Sequence, residues 1–244
     1  MPDSPRSWIP AGLLALGLLG GGLLVGRGFT EARLGDRFVT VKGVAERDVE
    51  ADLAVWNLQF TAGGNDLSAV QRTLGRNLEL TLEFLASHEI APDLVEVQGV
   101  RVTDASANPY QSGPVENRFS VTQTVVVRSE DPRRVQAASQ DVGRLVEAGV
   151  VLISGQEWGP GGPTFIFRGL NDVKPEMIAE ATARAREAAV EFARDSDSGL
   201  GGIRRARQGV FEILPRDPAP GITQENRIEK SVRVVTTVEY YLRG

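Results

Sequence analysis

The chain has 244 residues, of which 41% are hydrophobic and 24% are charged, and its 27 basic and 32 acidic residues leave a formal net charge of −5. These proportions are typical of a globular protein and exclude a collagen-like or disordered chain. The absence of cysteine excludes a disulfide scaffold, a thiolate metal site and a cysteine nucleophile. His88 is the only histidine, so we expect neither a His-rich metal site nor a Ser/His triad.

The first predicted element is an apolar helix. The 18 residues 8–25 include no charged residue and are bounded by Arg6 and Arg27. A membrane-spanning helix needs about 17–25 apolar residues, whereas the apolar core of a signal peptide has about 7–15. Residues 1–37 are therefore predicted to be an uncleaved signal anchor, with its membrane helix at about 8–25, and a short linker. A cleaved signal peptide is the alternative.

Charge bears on both orientation and partners. Arg27, Arg33 and Arg37 follow the apolar run, and the positive-inside rule applied literally would keep the rest of the chain in the cytoplasm. Residues 38–244 hold 23 basic and 29 acidic residues, a net charge of −6. Because phosphate contacts need clustered Lys and Arg, nucleic acid is not an expected partner.

The first half of the remaining chain is predicted to form strands at 38–47 and 50–62, a helix that ends near Ser87, and strands at about 94–104 and 118–128. Trp56, Leu58 and Phe60 alternate with other residues at the period of two that is typical of a strand. The pair Asn65-Asp66 can accept hydrogen bonds from the free amides of a first helical turn, and so predicts the N-cap of the helix.

The second half is predicted to form a connecting helix at about 132–147, strands at about 150–157 and 163–169, a helix at about 173–195, and strands at about 203–214 and 227–242. One face of the long helix is predicted to carry Met177, Ala181, Ala185, Ala188 and Phe192. The glycine-rich residues 199–202 are predicted to end this helix.

Three short matches recur in the same order in the two halves. They are residues 63–66 with 169–172 at an offset of 106, 98–100 with 208–210 at an offset of 110, and 116–118 with 225–227 at an offset of 109. They predict a tandem duplication with repeats at about 38–130 and 131–244. Chance recurrence of turn residues is the alternative.

Each repeat is predicted to be strand–strand–helix–strand–strand. Adjacent strands favour antiparallel pairing, so the fold class is α+β, with antiparallel sheets and helices on one face, preceded by the N-terminal membrane helix. The other face of the first sheet is predicted to be polar, and to be solvated or to meet another subunit. Its residues are Asn57, Gln59, Thr61, Ser120, Thr122 and Thr124.

Two long loops, at 104–117 and 215–226, occupy equivalent places in the two repeats. Loops of this length in compact domains are often functional. The residues predicted as subunit or partner contacts are Asn108, Tyr110, Asn117 and Asn226, with Tyr110 as the main anchor because aromatic residues dominate interface energies. A loop without such contacts is the alternative.

An acidic series occurs in the first predicted hairpin. Glu46, Asp48, Glu50 and Asp52 alternate, share one face of a strand and are able to bind a hard cation through oxygen. A solvated turn is the simpler interpretation. The sequence therefore predicts no catalytic, cofactor-binding or metal-binding residue, and no cofactor.

Several stretches resemble the SIMPL-domain family. They are residues 37–56, 64–71 and 231–242, with the pattern V-x-G-x-A-E/R at 41–47. The resemblance covers about 37–242. It implies a bacterial envelope protein of unknown biochemical function. It also implies a location in the periplasm, in contrast to the cytoplasmic location that the positive-inside rule would give. It also implies self-association and, for some members, a link to oxidative-stress resistance.

We therefore expect a membrane-anchored periplasmic protein that is not an enzyme and works as a homo-oligomer, held to the inner membrane by its N-terminal helix. Secretion to the periplasm after signal cleavage is the alternative location. A small-ligand or peptide binder that uses the cleft between the two repeats is the alternative function. A hydrolase using carboxylates near Glu46 is a third, which the spacing does not support.

Overall fold

The computed structural model describes residues 8–34, 37–107, 116–153 and 162–244. The chain divides into two compact units. The first unit consists of 1–45, 176–211 and 234–244, and the second of 46–175 and 212–233. Each unit takes segments from both halves of the sequence. The tandem duplication stays a prediction.

The helices are α1 (Trp8–Leu34), α2 (Leu67–Ser87), α3 (Pro132–Gln140), α4 (Gly143–Glu147) and α5 (Leu170–Asp195). The strands are β1 (Phe38–Glu50), β2 (Leu53–Gly64), β3 (Val95–Val97), β4 (Arg101–Asp104), β5 (Phe119–Ser129), β6 (Val151–Leu152), β7 (Thr164–Ile166), β8 (Gly199–Gln208), β9 (Glu212–Pro215) and β10 (Glu229–Arg243). The predicted mixture of helices and antiparallel strands is confirmed.

Local hydrogen bonds explain where the helices begin. The Asp66 carboxylate accepts from the amides of Ser68 at 2.8 Å and Ala69 at 3.4 Å, so the predicted N-cap of α2 is confirmed. Asp131 caps α3 in the same way, accepting from the Arg134 amide at 3.1 Å. The single helix predicted at 132–147 is instead divided, because α3 ends at its C-cap Asp141 and a second short helix follows.

The second unit has a six-stranded antiparallel sheet in the order β3–β5–β2–β6, with β4 beside β5 and β7 beside β2. Its central pair, β2 and β5, runs without interruption from Ala54 opposite Ser129 to Gly64 opposite Phe119. One face of this pair and the apolar face of α2 enclose a core of large side chains. The core includes Trp56, Leu58, Phe60, Leu74, Phe84, Leu85, Val125 and Val127.

In the first unit, β10 lies between β1 and β8 and pairs with β8 in antiparallel fashion from Thr236 opposite Gln208 to Arg243 opposite Gly199. The α5 helix packs on this sheet. Its buried residues are Met177, Ala181, Ala185, Ala189 and Ala193. Two of these alanines cluster with Val39, Val41, Val238 and Tyr240 of the strands.

Two expectations about α5 were wrong. The buried residues recur at a strict spacing of four, so Ala188 is exposed and Phe192 is 50% exposed. The glycine-rich residues 199–202 do not end the helix, which stops at Asp195; they begin strand β8. The reason is packing: Gly201 lies against the backbone of Tyr241, where an added Cβ would be 2.8 Å from the carbonyl oxygen.

The N-terminal helix was predicted and is present as α1. Its described leucines, between Leu13 and Leu24, are 65–74% exposed. Within the described residues, no helix combines the length and hydropathy needed to cross a membrane. The membrane span that the sequence predicted for this helix is therefore not supported.

Candidate functional site: an exposed sheet edge

The packing of the first unit depends on close contact between a helix and a strand. Val39, Val41, Gly43 and Ala45 of β1 are buried, and the residues between them are exposed. A Cβ at Gly43 would lie 1.8 Å from the carbonyl oxygen of Ala181 and 2.5 Å from the amide nitrogen of Ala185. Only glycine allows the α5 backbone to lie this close to β1.

The edge of this sheet is left exposed. Strand β8 pairs with β10 on one side, and no described strand pairs with its other side. All ten residues of β8 are exposed or half-buried, and Ile203 is 55% exposed. A strand of this length that is unpaired on one side presents a row of free N–H and C=O groups, which can pair with another chain. The edge is therefore the main candidate for a contact surface.

Three arginines lie close together on β8. The Arg204 guanidinium is 3.6 Å from Glu239 and stacks 4.0 Å from the centre of the Phe38 ring. Arg205 lies opposite Glu239 and Arg207 opposite Thr237, on the face of β10 that points away from α5. Across the described part of the chain, neither Arg205 nor Arg207 forms a salt bridge, so both charges are available.

Three members of the predicted acidic series lie on β1, in the part of that strand that belongs to the second unit. Glu46, Asp48 and Glu50 are exposed and alternate along the strand. Glu46 is 3.1 Å from Arg233 and Glu50 is 2.7 Å from Arg133, whereas Asp48 forms no salt bridge within the described residues. No group of three or more metal-ligating side chains occurs in the described ranges.

Asp52, the last acid of the series, has a separate structural role. Its carboxylate accepts from the Arg168 amide at 3.0 Å, from Arg168 Nε at 3.0 Å and from the Gly169 amide at 3.2 Å. The same arginine reaches Glu130 at 2.9 Å. These bonds hold the chain that follows β7 and leave Asp52 bound to protein donors.

The predicted polar face of the second unit's sheet is confirmed. All six of its predicted residues are exposed or half-buried. The Gln59 amide donates to the Thr124 hydroxyl at 3.3 Å, and the Thr61 hydroxyl donates to the Val121 carbonyl at 3.1 Å. Beside these residues an open groove of about 460 Å³ is lined by Leu53, Val55, Asp93, Leu94, Val95, Glu96, Val126, Arg128 and Glu130.

The four predicted contact residues have different outcomes. Asn108 and Tyr110 lie outside the described residues. Asn117 is exposed, and its Cγ lies 3.5 Å from where a Cβ of Gly63 would be. The Asn226 side chain accepts from the Thr223 amide at 3.1 Å and donates to the Gly221 carbonyl at 3.2 Å, so both of its polar groups stabilise its own turn.

A buried lysine was not recognised as special from the sequence. Lys230 of β10 is 0% exposed, and its ammonium donates to the carbonyls of Gln224 and, at 2.9 Å, Arg227. Burial lowers the pKa of Lys230 below its ordinary value, and the Glu225 carboxylate partly opposes this shift. The sequence placed Lys230 on the same face as the buried valines, and that position was the available signal.

The chain matches a known protein family over most of its length. Residues 39–240 match the SIMPL family, which is described as a protein of unknown function (DUF541). The match includes Gly43 and the α5 alanines that it contacts. A comparison with curated proteins found no match. Because the matched region covers most of the chain, the protein belongs to the SIMPL family, whose biochemical function is unknown.

Proposed function

We propose that this protein is a self-assembling component of the bacterial cell envelope and has no enzymatic activity. The observation that carries the proposal is the outer edge of β8, which no described strand covers and whose ten residues are exposed or half-buried. Natural proteins cover, shorten or bend such edges, because an exposed strand invites pairing with another chain. In the second unit the edges of the long strands are covered: β3 and β4 pair with β5 on one side of the β2–β5 pair, and β6 and β7 pair with β2 on the other.

The chemistry of the described residues agrees with a non-enzymatic role. Within them several charged side chains pair with one another, as in Asp52 with Arg168 and Glu46 with Arg233. The chain has no cysteine, so thiol-based scavenging is excluded.

Light scattering coupled to size exclusion on the full chain tests self-assembly. We expect a discrete oligomer at micromolar concentration, with and without a mild detergent that shields the exposed leucines of α1. A monomer at about 100 μM in both conditions would overturn the proposal, because association of a stable envelope assembly is expected well below that concentration.

Export to the envelope is the second part of the proposal. It is supported by the uncharged run 8–25 and by the absence of cysteine. Fractionation of cells that express the full chain, followed by intact-mass analysis, separates the outcomes. We expect the protein in the envelope fraction, with residues 8–25 retained. Loss of the N-terminal residues would indicate a cleaved signal, and a cytoplasmic protein would overturn export.

The groove of the second unit supports a second candidate function, binding of a small amphipathic ligand. Its lining combines the apolar residues Leu53, Val55 and Val126 with the charged residues Glu96 and Arg128. Ligand binding raises the unfolding temperature of the folded state. A thermal-shift screen of wild type and the groove variant Val126→Arg would show binding that only the wild type retains. No shift with any compound would remove this candidate.

A further inference from the structure

We infer that the first unit binds the surface of an anionic lipid membrane through the face of its sheet that points away from α5. The inference goes beyond the proposed self-assembly and envelope location, neither of which says what this face contacts. The face is formed by three strand segments, at 38–45 of β1, 199–208 of β8 and 234–243 of β10. All three segments belong to the first unit.

Burial along β1 and β10 shows which side chains form this face. The strand residues that cluster with the alanines of α5 are Val39, Val41, Val238 and Tyr240. Because successive side chains of a strand point to opposite faces, their neighbours point away from α5. On β1 these neighbours include Phe38 and Lys42, and on β10 they include Glu239, Tyr241 and Arg243. Phe38 is 42% exposed and Tyr241 is 39% exposed.

Strand β8 adds three arginines to the same face. Arg205 lies opposite Glu239, and Arg207 lies two residues further along, where the pairing with β10 is regular. The register shifts begin on the other side of this pair, at Arg204. The Arg204 guanidinium still lies on this face, because it is 3.6 Å from Glu239 and 4.0 Å from the centre of the Phe38 ring.

This face is basic although the chain as a whole is acidic. The three strand segments contain five basic residues and one acidic residue, a net charge of +4, whereas the chain carries −5. The one acidic residue, Glu239, is next to Arg204. Within the described ranges, the other four basic residues form no salt bridge, and they are Lys42, Arg205, Arg207 and Arg243. Their charges are therefore available to an external anion.

The segment that precedes this face favours a membrane as the source of that anion. Helix α1 ends at Leu34 and β1 begins at Phe38, so the two are at most about 14 Å apart along the chain. The described leucines of α1 are 65–74% exposed. A bilayer offers both surfaces a partner, since its apolar part accepts leucine and its anionic headgroups attract arginine and lysine. Nucleic acid would match the charge but leave the leucines exposed.

Membrane binding by this face is compatible with strand pairing at the edge of β8. The side chains of a strand stand off the plane of the sheet, whereas the free N–H and C=O groups of an edge lie in that plane. A lipid surface on the face and a further strand at the edge therefore use different groups of β8 and do not compete.

Vesicle flotation of the full chain tests the inference. The vesicles consist of phosphatidylcholine alone or of phosphatidylcholine mixed with phosphatidylglycerol. We expect partitioning onto the anionic vesicles to be more than about tenfold stronger at low salt, and this preference to disappear at about 0.5 M NaCl, because salt screens surface charge. Equal binding to both kinds of vesicle would show contact through apolar residues alone and would overturn the inference.

Charge reversal locates the contact. R205E/R207E should reduce the preference for anionic vesicles by more than about tenfold. R184E/R186E is the matched control, because it changes the net charge equally at exposed positions of α5, and it should keep the preference. Equal losses in the two variants would contradict binding by the basic face. The neutral R205Q/R207Q should show a smaller loss than R205E/R207E, and it keeps the test valid if glutamate impairs the folding of β8.

A fluorescent label reports the orientation directly, because the chain has no native cysteine. An environment-sensitive dye on T40C, an exposed position between Phe38 and Lys42, should shift to shorter wavelength on anionic vesicles. The same dye on A188C, an exposed position of α5, should not shift. A shift at A188C alone would place the opposite side of the unit on the lipid and overturn the inference.

Competition with a DNA duplex separates the two anionic partners. At equal numbers of phosphate groups, we expect most of the protein to stay on the anionic vesicles, and its transfer to the duplex would overturn the inference. Light scattering measures self-assembly separately. An oligomer without preference for anionic vesicles would therefore overturn membrane binding by this face and leave the proposed function standing.

Discussion

The two units solve the problem of packing a helix on a sheet in different ways. In the second unit α2 and the β2–β5 pair enclose large side chains such as Phe60, Phe84 and Leu85, and further strands cover both sides of the pair. In the first unit α5 presents a stripe of alanines, and Gly43 lets its backbone lie almost on the strand. The first unit therefore depends on close backbone contact, whereas the second depends on large side chains. In the first unit, β8 also keeps an edge that no described strand covers.

The largest expected effect is in the second unit. Phe60→Ala removes a fully buried aromatic ring and should lower the free energy of unfolding by about 3–5 kcal/mol, because it leaves a cavity. Asn57→Ala, on the exposed face of the same strand, should change it by less than about 0.5 kcal/mol. Urea unfolding measures both. Equal losses would show that the two faces of β2 are not packed as differently as described.

In the first unit we expect the opposite change, the addition of an atom, to lower the free energy of unfolding. Gly43→Ala places a Cβ against the Ala181 carbonyl and the Ala185 amide, and we expect a loss of about 3 kcal/mol with faster hydrogen exchange in α5. Gly75→Ala is the control: nothing lies within 4 Å of its Cβ position in α2, and the alanine should stabilise the helix by about 0.5–1 kcal/mol. A tolerated Gly43→Ala would contradict the close contact.

Lys230 gives a smaller and more local effect. Lys230→Met removes the donor to the carbonyls of Gln224 and Arg227, and we expect a loss of about 1–2 kcal/mol with faster hydrogen exchange in residues 216–228. The exposed Lys42→Met is the control. Unchanged exchange in that loop would show that the ammonium does not hold it.

The difference in stability between wild type and Lys230→Met should depend on pH, and the pKa shift of Lys230 gives its sign. The folded-state pKa of Lys230 is below the ordinary value of 10.5, so the unfolded chain binds more protons between these two values. Wild type should therefore gain stability relative to Lys230→Met as the pH rises from neutral towards 10.5. Urea unfolding of both proteins at several pH values measures this difference. A difference in unfolding free energy that does not change with pH would contradict the prediction.

The smallest expected effect is a surface titration in the second unit. Arg118 donates to both oxygens of Asp104, at 3.3 and 3.0 Å, and Ser106 donates at 2.6 Å. These bonds hold the pKa of Asp104 at about 2, below its ordinary 3.8. The contribution of this contact to stability is present above pH 3.8 and is lost as the pH falls through about 2.

Arg118→Gln separates this contact from general acid effects. In the variant, the pKa of Asp104 should move back towards 3.8, because its main donor is lost. Carboxyl NMR titration measures the value in both proteins. An unmoved pKa would mean that Ser106, and not Arg118, is the main cause.

Much of the fold could be predicted from local patterns. The N-cap of α2 at Asp66 and its end at Ser87 were both predicted, and each depends on residues close to it in the sequence. The polar face of β2 and β5 follows from alternation along each strand. The stripe of α5 could not be predicted as well, because spacings of three and four fit a helix equally. The choice of Ala189 over Ala188 and of Ala193 over Phe192 depends on which sheet the helix meets.

The candidate site was predicted less well than the fold. The acidic series was noticed, but its partners are arginines at 133, 168 and 233, which are distant in sequence. The arginines of β8 fell within the strand predicted at about 203–214, but they were not selected as a site. An edge strand cannot be recognised from its own residues, since exposure depends on whether another strand lies beside it.

By itself, the sequence determined the α+β class, the positions of the long elements and the lack of thiol chemistry, because these depend on composition, periodicity and short-range capping. The family was indicated by the resemblance of whole stretches of sequence to SIMPL-domain proteins. The tertiary structure alone decided which strands are edges, why position 43 must be glycine, and that Lys230 is bound by two carbonyls. These properties depend on pairs of residues far apart in the chain, whose distances are set by packing and not by local preference.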